Sequence, residues 1–330
     1  MRAIQRSFTL LGWAVAFATC VSGSPKRYEP PDVIHSIAQR AKADLIDLGA
    51  VPGLDLSSTL ESIASTYADA VTSKLSARAV SNLTGLIDVH AHCVPDWYRA
   101  IVPRTGGNPT PSWNVTGHLD FMASQSISQA VLAFSAPGAN VYPGDQAATI
   151  ALARLINEQS AAFARAYPDK FTFYAVVPLP YTPNAIAEAT YALDTLGAAG
   201  IALYSNFEGR YLGDSAFKPF FEAMNARGSS QIIYVHPTTP YIRVNGTLIE
   251  ANPTVYPTGN IEFYFETARL LAYDISTTNL FFGTDFPYAP IFTYGPSLIG
   301  IQTSPFVTNA ERSGIFAQNA RRLFGERIPL

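Results

Sequence analysis

From about residue 84 onward, short apolar runs alternate with longer stretches of helical periodicity, and this rhythm constrains the fold more than any other feature of the 330-residue chain. Strands are predicted at Leu86–His90, Ala130–Phe134, Phe171–Val177, Gly200–Tyr204, Ile232–His236 and Leu280–Gly283. Helical patterns at Ala147–Ala166, Asn184–Leu196 and Phe217–Ala226 lie between them. Parallel neighbours need a crossover, normally a helix, so the alternation predicts a parallel sheet covered by helices. The stretch is about 245 residues long, close to the ~250 of a closed (β/α)8 barrel. A TIM-barrel-like α/β architecture is the expectation.

The count falls short in one place. His236 ends the fifth predicted strand and Asp285 follows the last, only 49 positions later. One βα unit takes about 30 residues, most of it in the loop and helix. Residues 237–260, rich in proline, glycine and asparagine, read as a long loop; Phe263–Leu271 is a helical pattern and Tyr273–Ser276 at most a strand stub. The barrel is therefore expected to be incomplete around its sixth and seventh βα units. A missing strand exposes the edges of two neighbours, which closure normally removes. Either the ring closes with fewer strands, or N-terminal helices fill the gap, or the product is unstable. So abrupt a gap points first to the loss of an internal coding segment.

Three regions are expected: 1–23 a signal peptide, 24–80 a helical extension, 81–330 the barrel. Arg2 and Arg6 precede an uncharged run from Phe8 to Val21, 14 residues and too short for a bilayer, followed by the small residues Ser22 and Gly23. Secretion follows, and Asn82, Asn114 and Asn245, each in an Asn-x-Thr tripeptide, become glycosylation candidates. Cleavage would remove Cys20 and leave Cys93 with no intramolecular partner, so the core must hold the fold. In the extension, Ile34, Ile37, Ala41 and Leu45 recur at helical spacing. Ser58 with Glu61 reads as a capping box opening a second helix that carries Ile63, Tyr67 and Val71. An apolar fraction of 48% excludes a disordered chain, and a net charge of −3 gives no reason to expect nucleic acid or an anionic membrane as partner.

Three of the five histidines stand at the C-terminal ends of predicted strands. His90 and His92 are two apart, so on an extended strand both imidazoles share a face; Asp88 falls on that face one layer deeper, as barrel floor or support, and Cys93 on the opposite one as a packed thiol. Tyr234-Val235-His236-Pro237 ends another strand with a histidine, and Gly283-Thr284-Asp285-Phe286-Pro287 ends the last with a carboxylate. In a parallel barrel all these ends open on one face, where active sites lie. His90, His92, His236 and Asp285 thus form a candidate divalent-metal set, Zn2+ by default and Mn2+ as the alternative for nitrogen and oxygen donors. His35 is expected to be solvated or packed, and His118 structural. Trp97, Phe207 and Phe286 are candidates to wall an aromatic pocket at the same face.

These motifs resemble the metal-dependent decarboxylase branch of the amidohydrolase superfamily, the aminocarboxymuconate-semialdehyde decarboxylase-like group, and within it the fungal 6-methylsalicylate decarboxylases. The resemblance rests on Ile87–Pro95, Phe207–Asp214, His236–Thr239, Phe282–Pro290 and Gln318–Phe324, and spans roughly residues 85–326. It implies that His90, His92, His236 and Asp285 bind the metal, which would chelate the carboxylate and adjacent hydroxyl of a small aromatic acid. Asp285 would move the proton to the ring carbon as CO2 leaves. It also implies a sixth-strand histidine that this sequence lacks, and a possible homodimer. Three functions follow: a carboxy-lyase on a salicylate-like acid; a hydrolase of the same superfamily acting on an ester, lactone or amide, with Asp285 as base; or an inactive truncated member.

Overall fold

A computed structural model describes residues 30–73, 85–105, 108–228, 231–239, 241–244, 247–250, 276–289 and 291–328. The signal-peptide candidate, Asn82, Asn245 and the helical pattern at Phe263–Leu271 lie outside the described residues. No described helix is long and apolar enough to cross a membrane.

Five strands form one parallel sheet in chain order: β1 (Leu86–Cys93), β2 (Ile127–Phe134), β3 (Phe171–Val176), β4 (Gly200–Tyr204) and β5 (Ile233–His236). The helices are α1 (Pro30–Ala43), α2 (Leu56–Ser73), α3 (Asp96–Ile101), α4 (Val115–Ser124), α5 (Gln146–Ala166), α6 (Thr182–Tyr191) and α7 (Lys218–Ala226). They continue with α8 (Ile291–Thr303), α9 (Asn309–Ser313) and α10 (Asn319–Phe324). The near-continuous burial of β2 and β3 is that of strands covered on both faces. Leu132, Phe134, Phe173 and Leu203 pack outward with the helices, while Val131, Ala133, Tyr174 and Ala202 form a second, inner cluster. Phe324 of α10 and Ile328 join that inner cluster, so the end of the chain supports the concave side.

The expected sixth strand, Leu280–Gly283, is not a regular ladder strand. Its main chain nevertheless runs beside β1: the Val89 N–H donates to the Phe282 carbonyl (3.0 Å), and the Asp285 and Thr284 N–H groups donate to the His90 carbonyl (2.7 and 3.2 Å). Regular pairing breaks because β1 itself is irregular there. Among the described residues the product is a five-stranded, incomplete barrel plus this irregular segment, in keeping with the residue count. The proline-rich region read as a loop contains a hairpin, β6 (Tyr241–Val244) paired antiparallel with β7 (Thr247–Glu250).

The N-terminal helices lie on α5, the most buried helix. Arg154 of α5, 2% exposed, donates to Glu188 of α6 (3.0 Å) and Asp44 after α1 (2.8 Å), and Arg40 of α1 meets buried Glu158 at 3.2 Å. Gln159 of α5 donates to Thr66 of α2. Two readings of this region change. The cap of α2 is Asp55, whose carboxylate accepts from the Ser58 N–H (3.1 Å), so Ser58 lies inside the first turn and makes no capping box with Glu61. Leu45 has left the helix in a left-handed conformation (φ 58°) and is 94% exposed.

Candidate metal centre

Strand alternation alone does not place His90 and His92, because β1 carries a bulge: Asp88 pairs with Ala130 and Ala91 with Leu132, so Val89 and His90 together face Val131. Ile87 and Val89 accordingly join the inner cluster, whereas Ala91 and Cys93 join the outer one. The extra residue re-aims the strand so that both imidazoles still converge, with ring centres 5.1 Å apart. His236, at the end of β5, completes a triangle with ring centres 5.3 Å from His90 and 4.8 Å from His92. Its Nδ1 bonds the Pro237 carbonyl at 2.5 Å, which orients the ring and leaves Nε2 as the lone-pair nitrogen. Asp285 arrives from the irregular segment, its Oδ1 3.1 Å from His92 Nε2 and 3.4 Å from His90 Nε2. One ligating atom from each of the four lies within 4.8 Å of the others.

Asp88 does not share the cluster but supports it from beside, and the bulge rather than simple alternation sets its neighbours. Fully buried, it accepts from the His90 N–H (3.0 Å) and from the Thr284 N–H and hydroxyl (3.1 and 2.5 Å). It ties the segment carrying Asp285 to the strand carrying the histidines. Burial pushes its carboxyl up to about 6 although these three bonds oppose the shift. Asp285 itself sits in the left-handed region (φ 59°), uncommon for a residue with a side chain. Burial disfavours its charge, but the imidazoles of His90 and His92 outweigh it and hold the carboxyl well below the usual range. His236 is pushed down to about 3, first by burial and then by its two neighbours, and burial also lowers His92. His92 and His236 therefore offer neutral lone pairs at neutral pH. His90 Nε2 and His92 Nδ1 are buried without a hydrogen-bond partner. Neutral imidazoles, an ionised carboxylate and unsatisfied buried nitrogens suit a divalent cation.

The remaining candidates separate. Phe286 stacks on Phe121 (4.3 Å, 12°) and lies against His118, behind the cluster. Trp97 lies in α3, where its indole donates to Gln159 and its ring packs on Tyr98 and Phe134, so it is a core residue. Phe207 is buried between Tyr204 and Phe217. His118 is buried as expected and accepts from the Trp113 indole; His35 is exposed against Gln39. Cys93 is a buried thiol pushed up to about 12 by burial. Asn114 caps α4 through the Gly117 N–H and is exposed. Two residues at the cluster escaped the sequence reading. Tyr288 lies edge-on to His92 at 5.3 Å, its hydroxyl bonded to Ser135. Tyr234 lies edge-on to His90 at 5.4 Å, and its place two residues before His236 on one strand was the signal for it.

Residues 87–247 match the amidohydrolase family. A decarboxylase of Aspergillus niger is 37% identical over 200 residues, covering 58% of this chain and 53% of the relative. A 6-methylsalicylic acid decarboxylase of Penicillium expansum is 33% identical over 201 residues, covering 59% of each. The chain thus spans little more than half the length of these relatives. The crystal structure of a dihydroxybenzoic acid decarboxylase from a Polaromonas species, with bound manganese and the inhibitor 2-nitroresorcinol, shares the fold at a TM-score of 0.55. It is 16% identical and covers 74% of this chain and 99% of that one. The parallel barrel strands, the histidines that end β1 and β5 and the sequence match agree: over residues 87–247 the chain is similar to the amidohydrolase family.

Proposed function

We propose that the chain is a metal-dependent decarboxylase, a carboxy-lyase acting on a salicylate-like aromatic acid such as 6-methylsalicylate. The observation that carries this reading is the convergence of four donor atoms within 4.8 Å at the C-terminal ends of the strands. Two relatives named as decarboxylases support it. His90, His92, His236 and Asp285 would hold the cation, Zn2+ or, as in the Polaromonas structure, Mn2+. When bound, the metal orients a carboxylate and its neighbouring hydroxyl and draws electron density from the ring.

The chain's own residues supply the rest. Asp285 is half-exposed beside the histidines, so it faces a bound acid. Its depressed pKa makes it a carboxylate at neutral pH; it must take up a proton, from the substrate hydroxyl or from water, before passing it to the ring carbon that loses CO2. None of the five histidines is placed to share this task, since His118 is buried behind Phe286 and His35 lies on α1. Asp285 therefore carries the proton transfer without a histidine partner. Export through a cleaved leader, with Asn114 glycosylated, and a homodimer belong to the same proposal.

The test is CO2 release from 6-methylsalicylate by the purified chain loaded with Zn2+ or Mn2+. A lactone converted to its acid, with no CO2, makes the chain a hydrolase instead. His236→Ala and Asp285→Ala are each expected to cut metal occupancy at least tenfold. Unchanged occupancy in both removes the metal centre and the function with it.

A further inference from the structure

We propose that the cavity next to the metal centre is a subsite that reads a hydrogen-bond donor, a ring hydroxyl or amino group, on the bound aromatic acid. How the acid is anchored rests on the decarboxylase reading; the subsite rests on its own geometry. The cavity holds about 310 Å³ and is lined by Pro137, Asn140, Tyr204, Glu208, Thr238 and Tyr241 among others. That is the lower end of small-molecule sites, enough for one substituted ring. Its walls come from the loops after β2, β4 and β5, at the end of the sheet that carries the cluster. Tyr204 joins the two, since it lines the cavity and its ring centre is 6.4 Å from that of His236.

The polarity of the cavity is what selects the ligand. Asn140 donates through Nδ2 to the Leu179 carbonyl at 2.7 Å, which fixes the amide with Oδ1 as its acceptor. That oxygen is buried and has no hydrogen-bond partner. Glu208 offers the second acceptor. Its Oε1 receives the Gly144 N–H and the Tyr181 hydroxyl, both at 3.0 Å, and its other oxygen takes no bond among the described residues. The residue is held at φ 51°, a left-handed conformation that a side-chain-bearing residue adopts only where its surroundings impose it. Of these two oxygens only the open one of Glu208 is within reach of a ligand in the cavity; a donor satisfies it and a methyl group does not, so the site rejects the methyl analogue more strongly than shape alone would. Gly138 keeps this wall close, because a Cβ there would lie 2.4 Å from the Tyr204 ring.

The experiment compares matched 2-hydroxybenzoates carrying either a hydroxyl or a methyl at the same ring position, titrated calorimetrically into the full chain with Mn2+ bound. At one position at least, the hydroxyl member is expected to bind ten times tighter or more. Glu208→Gln retains the oxygen that binds Gly144 and Tyr181 and turns the other acceptor into a donor. This variant should bring the ratio within threefold by weakening the hydroxyl member. Equal affinities in every pair, or a ratio that this variant does not alter, overturns the subsite. Resorcinol, which has no carboxylate, separates the two proposals when observed by NMR on the metal-free chain. If no acid binds but resorcinol does, and Glu208→Gln abolishes it, the subsite stands and the decarboxylase reading falls. If neither binds, the subsite falls.

Discussion

Gly283 shows how little room the centre has. A Cβ on this residue would lie 2.6 Å from the Cβ of His90, closer than packed atoms come, so only glycine lets the Asp285 segment run this near β1. Gly283→Ala is expected to cost about 1–3 kcal/mol of stability through overpacking and to weaken metal binding at least tenfold, read by denaturation and by metal titration. Two buried groups give the metal-free chain opposite pH slopes. His118 is lowered from 6.5 to about 3, chiefly by burial, so the unfolded chain binds its proton more tightly. Its stabilisation is full above pH 6.5 and is lost as pH falls towards 3, roughly 3–5 kcal/mol in all. Asp88 is raised from 3.8 to about 6, so the native state binds its proton more tightly and stability falls as pH rises from 4 through 6. Urea unfolding between pH 4 and 7 checks both. His118→Phe should flatten much of the acid-side loss, leaving the part due to His236, which has the same sign. Asp88→Asn, able to keep both backbone bonds through one oxygen, should make stability climb more steeply with pH over the same range.

Among the elements, α1 is bound to the barrel by charge as well as by packing. Arg154 and Glu188 are 2% and 3% exposed and 3.0 Å apart, and Asn157 also donates to Glu188, at 2.8 Å. Removing one partner of such a pair strands the other charge in the interior. Arg154→Met is expected to cost about 3–5 kcal/mol, and Arg154→Met with Glu188→Leu much less, in a denaturation cycle. The bond from Arg154 to Asp44 makes the end of α1 part of this network, so the single variant should also open α1 to hydrogen exchange before the sheet. The spacing of Ile34, Ile37 and Ala41 revealed the helix; nothing in it revealed that the polar residues Arg154 and Glu158, both in α5, are buried under it. That depends on which helices become neighbours.

At the scale of the molecule, the sheet formed by the described residues is open beyond β5. Among the described residues, no strand pairs with its outer side, and Val235 is 54% exposed in the middle of the strand. Closed barrels have no such edge, and an exposed apolar edge strand is a template for association. Sedimentation is expected to show concentration-dependent association, which Val235→Lys relieves without loss of metal binding, because this side chain alternates away from His236. A monomer at all concentrations would show that the edge is covered.

The chain's own order determined much of this. Apolar runs spaced by helical periods leave few solutions other than a parallel sheet with outer helices, and the 49 positions from His236 to Asp285 leave too little chain for two further βα units. Histidines and a carboxylate at strand ends were enough to pick out the four residues that the fold brings together, because a parallel sheet gathers such ends on one side. What the linear order could not reveal depends on contacts between distant segments. The β1 bulge, the hold of Asp88 on Thr284, the inward turn of Tyr234 and Tyr288, and the removal of Trp97 into the core all follow from how neighbouring backbones fit. Register and packing are settled only when the whole sheet forms, so only the tertiary structure could decide them.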